Sequence, residues 1–203
     1  MASLPRSLQQ LAEAINSLPG IGPKSAYRLV FFILNKDKSY TQNLASMIAE
    51  IQDKIQLCEN CYNYSEETLC TICQDSQRSL GQILVVENPL EIMAYEDSGY
   101  KGFYHCLGGL LSPLQGIGPE KIRVRELLER LTKFAATEDL EVIIGCSTSL
   151  EGQATAEYLR QIISAHPKLS RLVITLPARG LPTNSAIEYL DGNTLRFSLE
   201  NRK

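Results

Sequence analysis

The chain has 203 residues, enough for one main folding body with small attachments and a buried core. Its composition, 44% hydrophobic and 21% charged, is that of an ordinary soluble globular protein, and a formal charge of -3 excludes a uniformly basic surface. No apolar run approaches the ~20 residues needed to cross a bilayer, and the first 20 residues lack the apolar stretch of a secretory signal, so a cytoplasmic protein with no membrane partner is expected.

The first elements are helical. Leu8, Leu11, Ala12 and Ile15 fall on one face at 3.6-residue spacing and predict a helix from about Leu8 to Ser17, ended by Leu18-Pro19-Gly20. A second helix starts at Pro23, where the missing N–H costs nothing, and runs to about Leu34. A third follows the polar break at residues 35 to 39, through Leu44, Met47, Ile48 and Ile51. Charge is uneven along the chain. Residues 1 to 40 carry Arg6, Lys24, Arg28, Lys36 and Lys38 against Glu13 and Asp37, a local balance of +3 that leaves -6 for the rest. Phosphate attraction is screened within about 8 Å at physiological salt, so a DNA contact belongs on this segment; the alternative is that these charges only solvate a helix.

Between the first two helices, Leu18 to Lys24 has the form of a helix-hairpin-helix. Its chemistry is backbone chemistry: Gly20, Ile21 and Gly22 let the chain approach a phosphate, the second helix directs its free N–H groups and positive dipole end there, and Lys24 and Arg28 add charge one turn apart. Such a site reads no base sequence. A plain Pro-Gly helix connection is the alternative. Gly116-Ile117-Gly118-Pro119 repeats the motif but lacks a preceding amphipathic helix, and reads as a turn.

Cys58-x2-Cys61 and Cys70-x2-Cys73 are two knuckles separated by eight residues, and supply four thiolates to a tetrahedral metal such as zinc. A shell of four sulfurs has no open position, so the site is structural and not hydrolytic; an iron-sulfur cluster is the competing occupant. Cys106 and Cys146 stand alone in apolar surroundings as small core residues. His105 and His166 sit in no triad or ligand spacing.

From Gly81 the pattern becomes α/β. Short β-branched runs at Gln82 to Val86, Glu141 to Gly145 and Arg171 to Leu176 alternate with helical segments at Val124 to Phe134 and Gly152 to Ala165, which predicts a mainly parallel sheet. Glu87 and the stretch from Ser147 to Gly152, with Glu151, follow strands, and so sit at the carboxyl edge where open α/β sheets place ligands. Equally, they are strand-end and helix-start residues, Glu151 being favourable near a helix amino terminus.

In their order along the chain, these segments resemble the bacterial RecR family: Leu18 to Ala26, the four cysteines, Val85-Val86-Glu87, Tyr104-His105 with Leu107-Gly108-Gly109 and Leu111-Ser112-Pro113, Gly116 to Pro119, Glu151-Gly152, and Ala178 to Pro182 with Glu188-Tyr189. The resemblance implies a helix-hairpin-helix DNA-binding region at 1 to 54, a four-cysteine zinc finger at 55 to 78, a Toprim-type α/β domain at 79 to 176 and a carboxyl-terminal segment at 177 to 203 that is Walker-B-like in the family. It also implies a ring-shaped homo-oligomer, a tetramer, that clamps single- and double-stranded DNA and works with RecO, and in some settings RecF, to load RecA. That is the role of a non-enzymatic mediator of repair. The residues by themselves reach only a backbone contact with DNA, a structural metal and an α/β body. A Toprim nuclease and a zinc-dependent protein-interaction adaptor are the competing readings.

Three departures bear on the acidic site. Active Toprim enzymes carry Asp-x-Asp where this chain has Ser147 and Ser149; the family's Glu-Gly-Glu is Glu151-Gly152-Gln153; and its Gly-Gly-Asp is Asn184-Ser185-Ala186. With those acids gone, Glu87 and Glu151 are a poor two-metal site, and neither magnesium nor nucleotide binding is indicated.

Overall fold

Ala12, Ala26 and Val30 are buried where the first two helices of the protein pack together. In this computed structural model residues 4–79, 81–135, 139–178, 180–182 and 185–200 are described, and the chain divides into two units, Met1–Lys54 and Ile55–Lys203.

The first unit holds α1 (Arg6–Asn16), α2 (Pro23–Leu34) and α3 (Lys38–Lys54). The first helix begins two residues before Leu8, because Pro5 supplies the turn and the carbonyl that accepts from Leu8 and Gln9. Pro23 occupies the first turn of α2 as the sequence predicts. The third helix starts earlier than its apolar spacing suggests, since the Asp37 carboxylate accepts from the Tyr40 N–H at 2.7 Å and caps it. Over its 17 residues α3 buries no side chain.

The second unit opens with β1 (Gln56–Leu57) paired antiparallel to β2 (Tyr64–Ser65), followed by the one-turn helix α4 (Thr71–Gln74). The sheet then comprises β3 (Gln82–Val86), β4 (Phe103–Cys106), β5 (Glu141–Ile144) and β6 (Val173–Thr175), all parallel, in the order β4-β3-β5-β6. Three strands fall where the β-branched runs predict, although β6 is shorter than 171 to 176. The fourth, β4, escapes the sequence pattern: Phe-Tyr-His-Cys has neither β-branched residues nor alternating polarity, and is a strand because all four residues are buried.

Alternation along β3 divides the core in two. Ile83 and Val85 face α6 (Val124–Phe134) and α7 (Leu150–Ala165), through Leu127, Leu131, Leu159 and Ile163. Leu84 and Val86 face the other side, with Ile92 of α5 (Pro89–Asp97) and Tyr104. The start of α7 lies two residues before the predicted Gly152, because Ser149 Oγ accepts from the Gly152 N–H at 3.0 Å and sets the cap. Gly116 is a left-handed turn residue with φ 65°, and Ser112 and Ile117 bridge around it, so 116 to 119 is a turn and not a second hairpin between helices. In the carboxyl-terminal segment, α8 (Gly192–Glu200) is capped by Asp191, while Asn184 of the departing motif lies outside the described residues.

Candidate metal centre and nucleic-acid interface

The four cysteines converge. Their Sγ atoms all lie within 4.8 Å of one another, with 3.5 Å between Cys61 and Cys70, against an edge of about 3.8 Å for a tetrahedron with Zn–S bonds of about 2.3 Å. Local structure explains the convergence. The first knuckle is the tip of the β1–β2 hairpin, where Cys58 N donates to Asn63 O at 2.8 Å and Tyr62 N to Cys58 O at 2.9 Å. In the second, Cys70 is the amino-terminal cap of α4 and Cys73 lies one turn along it. Cys61 Sγ and Cys70 Sγ share a hydrogen bond, and this contact lowers the Cys70 thiol below its ordinary range. Four soft donors with no hydroxyl, carboxylate or imidazole among them suit zinc, and a closed sulfur shell fixes it as a structural ion. Among the described residues no other group of three or more histidine, cysteine or carboxylate ligands comes together.

Several residues that sequence spacing does not single out tie this metal centre to the sheet. Cys106 N, in β4, donates to Cys61 O at 2.8 Å. Tyr62, the one non-glycine with positive φ among the described residues (61°), sets its ring edge-on to His105 at 5.5 Å, and the Arg123 guanidinium lies 4.9 Å from the Tyr62 ring centre. His105 is fully buried, and Nε2 donates to Arg123 O at 3.0 Å, which places its proton on that nitrogen. Burial pushes its pKa down to about 3, so it is neutral. Beneath it, the buried Arg130 donates to Tyr104 O. No periodic pattern marks Tyr62 or Arg123; the only signal, for Tyr62, is adjacency to a ligand knuckle.

At the carboxyl edge of the sheet, β3 connects to β4 on one side and β5 to β6 on the other, so the ends of β3 and β5 form the switch point of the fold. Glu87 and Ser147 meet there, the Ser147 N–H donating to the Glu87 carboxylate. Ser147 Oγ and Ser149 Oγ are 2.8 Å apart. Glu151 is exposed in the first turn of α7, and the structure does not bring its carboxylate into a hydrogen bond with Glu87. The acid that does meet Glu87 is Glu91, which motif reading passes over. It accepts from Glu87 N and Asn88 Nδ2, both at 2.9 Å, and its legible signal is Asn88 with a glutamate three residues on, a capping box at the start of α5. Burial raises the Glu91 pKa. Cys146 is only partly buried and lines a cavity of about 550 Å³ near this edge, with Thr148, Gln153, Asp191 and Phe197; burial pushes its thiol up to about 12, which favours the neutral thiol over the thiolate.

In the amino-terminal unit, the hairpin is bare. Gly20 has φ 81°, Ile21 N donates to Leu18 O at 3.2 Å, and nothing lies within 4 Å of a side chain built at Gly20 or Gly22. Gly22 is the amino-terminal cap of α2 without a side-chain acceptor for the first-turn N–H groups. Lys24 and Arg28 are exposed, and neither makes an ion pair among the described residues.

Comparison with known proteins follows this anatomy. Residues 8–52 match the RecR helix-hairpin-helix model, 55–75 the RecR four-cysteine zinc finger domain, 81–173 the Toprim domain and 180–203 the RecR carboxyl-terminal model. The chain is 44% identical over 201 residues to Recombination protein RecR of Herpetosiphon aurantiacus, covering 98% of this chain and 95% of that protein. It is 40% identical to Recombination protein RecR of Tropheryma whipplei (98% and 97% covered) and 41% identical to that of Streptomyces avermitilis (97% and 96%). With a four-cysteine zinc centre on a parallel Toprim sheet and a helical hairpin unit before it, the chain belongs to the RecR family.

Proposed function

We propose that this protein is a non-enzymatic mediator of recombinational repair that holds DNA by its backbone and assists RecA loading on single strands together with RecO and RecF. The observation that carries the reading is the uncapped amino terminus of α2, where bare glycines and exposed Lys24 and Arg28 surround free N–H groups. The recombination role comes from the names of the full-length relatives. In this reading, residues 1 to 54 contact DNA through Gly20, Ile21, Gly22, Lys24 and Arg28, residues 55 to 78 form the zinc finger, 79 to 176 the Toprim domain and 177 to 203 the carboxyl-terminal segment. The protein acts in the cytoplasm; no helix among the described residues is long and apolar enough to cross a membrane.

A backbone clamp of two cations and a few N–H groups per copy discriminates no base and binds feebly alone. Useful affinity requires several hairpins held in one assembly, where linked sites raise the effective concentration. The homo-oligomeric ring is supported by α3, whose Met47, Ile48 and Ile51 are exposed. The Toprim nuclease reading requires a cluster of carboxylates, whereas Glu87 has only Glu91 near it, and among the described residues no group of three or more acidic or histidine ligands comes together there. An adaptor without DNA contact is the second reading, favoured only by the structural character of the zinc.

The test is affinity against salt for wild type and for the Lys24→Ala, Arg28→Ala double variant, both checked for oligomeric state by size exclusion. Each lost phosphate contact lowers the log-log salt slope by about 0.7 on single strands and 0.9 on duplex. Equal affinity and equal slope in the double variant sink the clamp and favour the adaptor.

A further inference from the structure

Lys24, Arg28 and Phe32 recur at every fourth residue of α2, and Lys36 follows at the same interval just past its end, so cation, cation and aromatic share one helix face. Phe32 is 49% exposed, although it is a large apolar side chain on a stretch of the protein with a positive charge balance. Its neighbour is Tyr40 at the start of α3, 42% exposed, with ring centres 6.3 Å apart and planes at 82°. The Lys36 ammonium lies 4.7 Å from the Phe32 ring centre and 5.8 Å from that of Tyr40. Asp37, the acid within this segment, is engaged in capping α3: its carboxylate accepts from Tyr40 N and Ser39 Oγ at 2.7 Å, which also fixes the backbone that carries Tyr40.

We propose that Phe32 and Tyr40 form a stacking platform for the unpaired bases of single-stranded DNA, continuing along α2 the path that begins at the hairpin. The inference rests on the backbone-contact reading above and adds a preference to it. Eight residues of helix separate Lys24 from Phe32, about 12 Å along the axis, so one short stretch of strand spans both. The two rings stand at 82° to each other, so each offers its own face to a separate unstacked base, a sequence-tolerant contact beside a cation that offers nothing to a duplex whose bases are already stacked. Lys36 lies over the Phe32 ring in the unbound chain, so a base stacking on that face displaces its ammonium, which then meets the phosphate of the stacked nucleotide. The platform distinguishes single strand from duplex without reading sequence.

The experiment uses the full-length protein, a fluorescein-labelled oligothymidylate and a duplex of equal length. Phe32→Leu with Tyr40→Leu is expected to weaken single-strand binding by about tenfold or more, to leave duplex binding within about twofold and to leave the salt slope unchanged, because stacking involves no counterion release. Phe32→Trp with Tyr40→Phe restores the single-strand preference. In wild type, photo-crosslinking to a 5-iodouracil strand labels the peptide holding Phe32 or Tyr40. Equal losses on both DNA forms, or crosslinks elsewhere only, overturn the platform. So does a leucine variant that falls apart on size exclusion without losing affinity per copy, since the face then contacts a second copy of the chain. If wild type binds neither DNA form, the backbone reading fails first; if Lys24→Ala, Arg28→Ala abolishes binding and the leucine pair changes nothing, only the platform falls.

Discussion

Cys106 N donates to Cys61 O across 2.8 Å, which joins a strand of the sheet to the first knuckle of the metal centre. The bond places the zinc site and the sheet in one mechanical unit. Stability of each then depends on the other, because the finger residues are too few to bury a core of their own and the metal supplies their folding free energy.

Cys58→Ser and Cys70→Ser are therefore expected to lower zinc content from one ion per chain and to destabilise the Toprim sheet as well as the finger. Structural zinc is worth on the order of 10 kcal/mol in apparent binding free energy, more than a small domain's margin. Metal analysis together with amide exchange at β3 and β4 checks both halves of the claim. Protection of those strands that is unchanged in metal-free protein counts against the coupling.

Tyr62 holds a left-handed backbone that costs an L-residue about 1–2 kcal/mol, and its ring offsets that cost through His105 and Arg123. Tyr62→Gly relieves the backbone and loses the ring; Tyr62→Ala loses the ring and keeps the strain. Alanine is expected to be the worse of the two by about 1 kcal/mol in urea denaturation. The reverse order means that the entropy glycine adds to the unfolded chain outweighs the backbone strain it relieves.

His105 stays neutral in the fold, its pKa pushed down to about 3 by burial, whereas in the unfolded chain it titrates near 6.5. Below about pH 6.5 the unfolded state binds the extra proton, so this contribution is complete above that pH and is lost progressively as the pH falls toward 3. The slope approaches 1.4 kcal/mol per pH unit for one group. His105→Phe removes it. Urea titrations from pH 7.5 to 5.5 on both proteins, with zinc content checked at each pH, measure the difference, and parallel curves contradict the assignment.

The Glu87 carboxylate accepts the Ser147 N–H at the switch point, so its expected contribution there is structural. Glu87→Ala is expected to cost only about 0.5–1 kcal/mol, because the exposed N–H that loses its charged acceptor can bond to water instead, with DNA affinity unchanged. Magnesium-dependent nicking of supercoiled DNA that disappears in Glu87→Ala is the result that overturns it.

Legibility in the sequence follows the reach of each signal. Two four-residue knuckles are local, so Cys58, Cys61, Cys70 and Cys73 are readable at once, as is Pro23 at the first turn of α2. A short β-branched run locates β3 to the residue because both of its faces are buried. The strand β4 is invisible: its burial comes from Tyr62, Arg130 and β3, which are brought to it only by the fold. The acid partner of the carboxyl edge differs, being local and marked by a capping signal at Asn88 that motif reading passes over. Glu91 acts through a cap bond to Glu87 N, whereas Glu151, more prominent as part of a motif, is exposed.

The β4 strand ends the sheet on one side, and an outermost strand offers unpaired N–H and C=O groups to any other chain. On the opposite side β6 is only three residues long and provides little template. On the β4 side the knuckle of Cys61 occupies one such outward N–H. The zinc finger thus blunts that edge against strand-by-strand association, and loss of the metal is expected to reopen it.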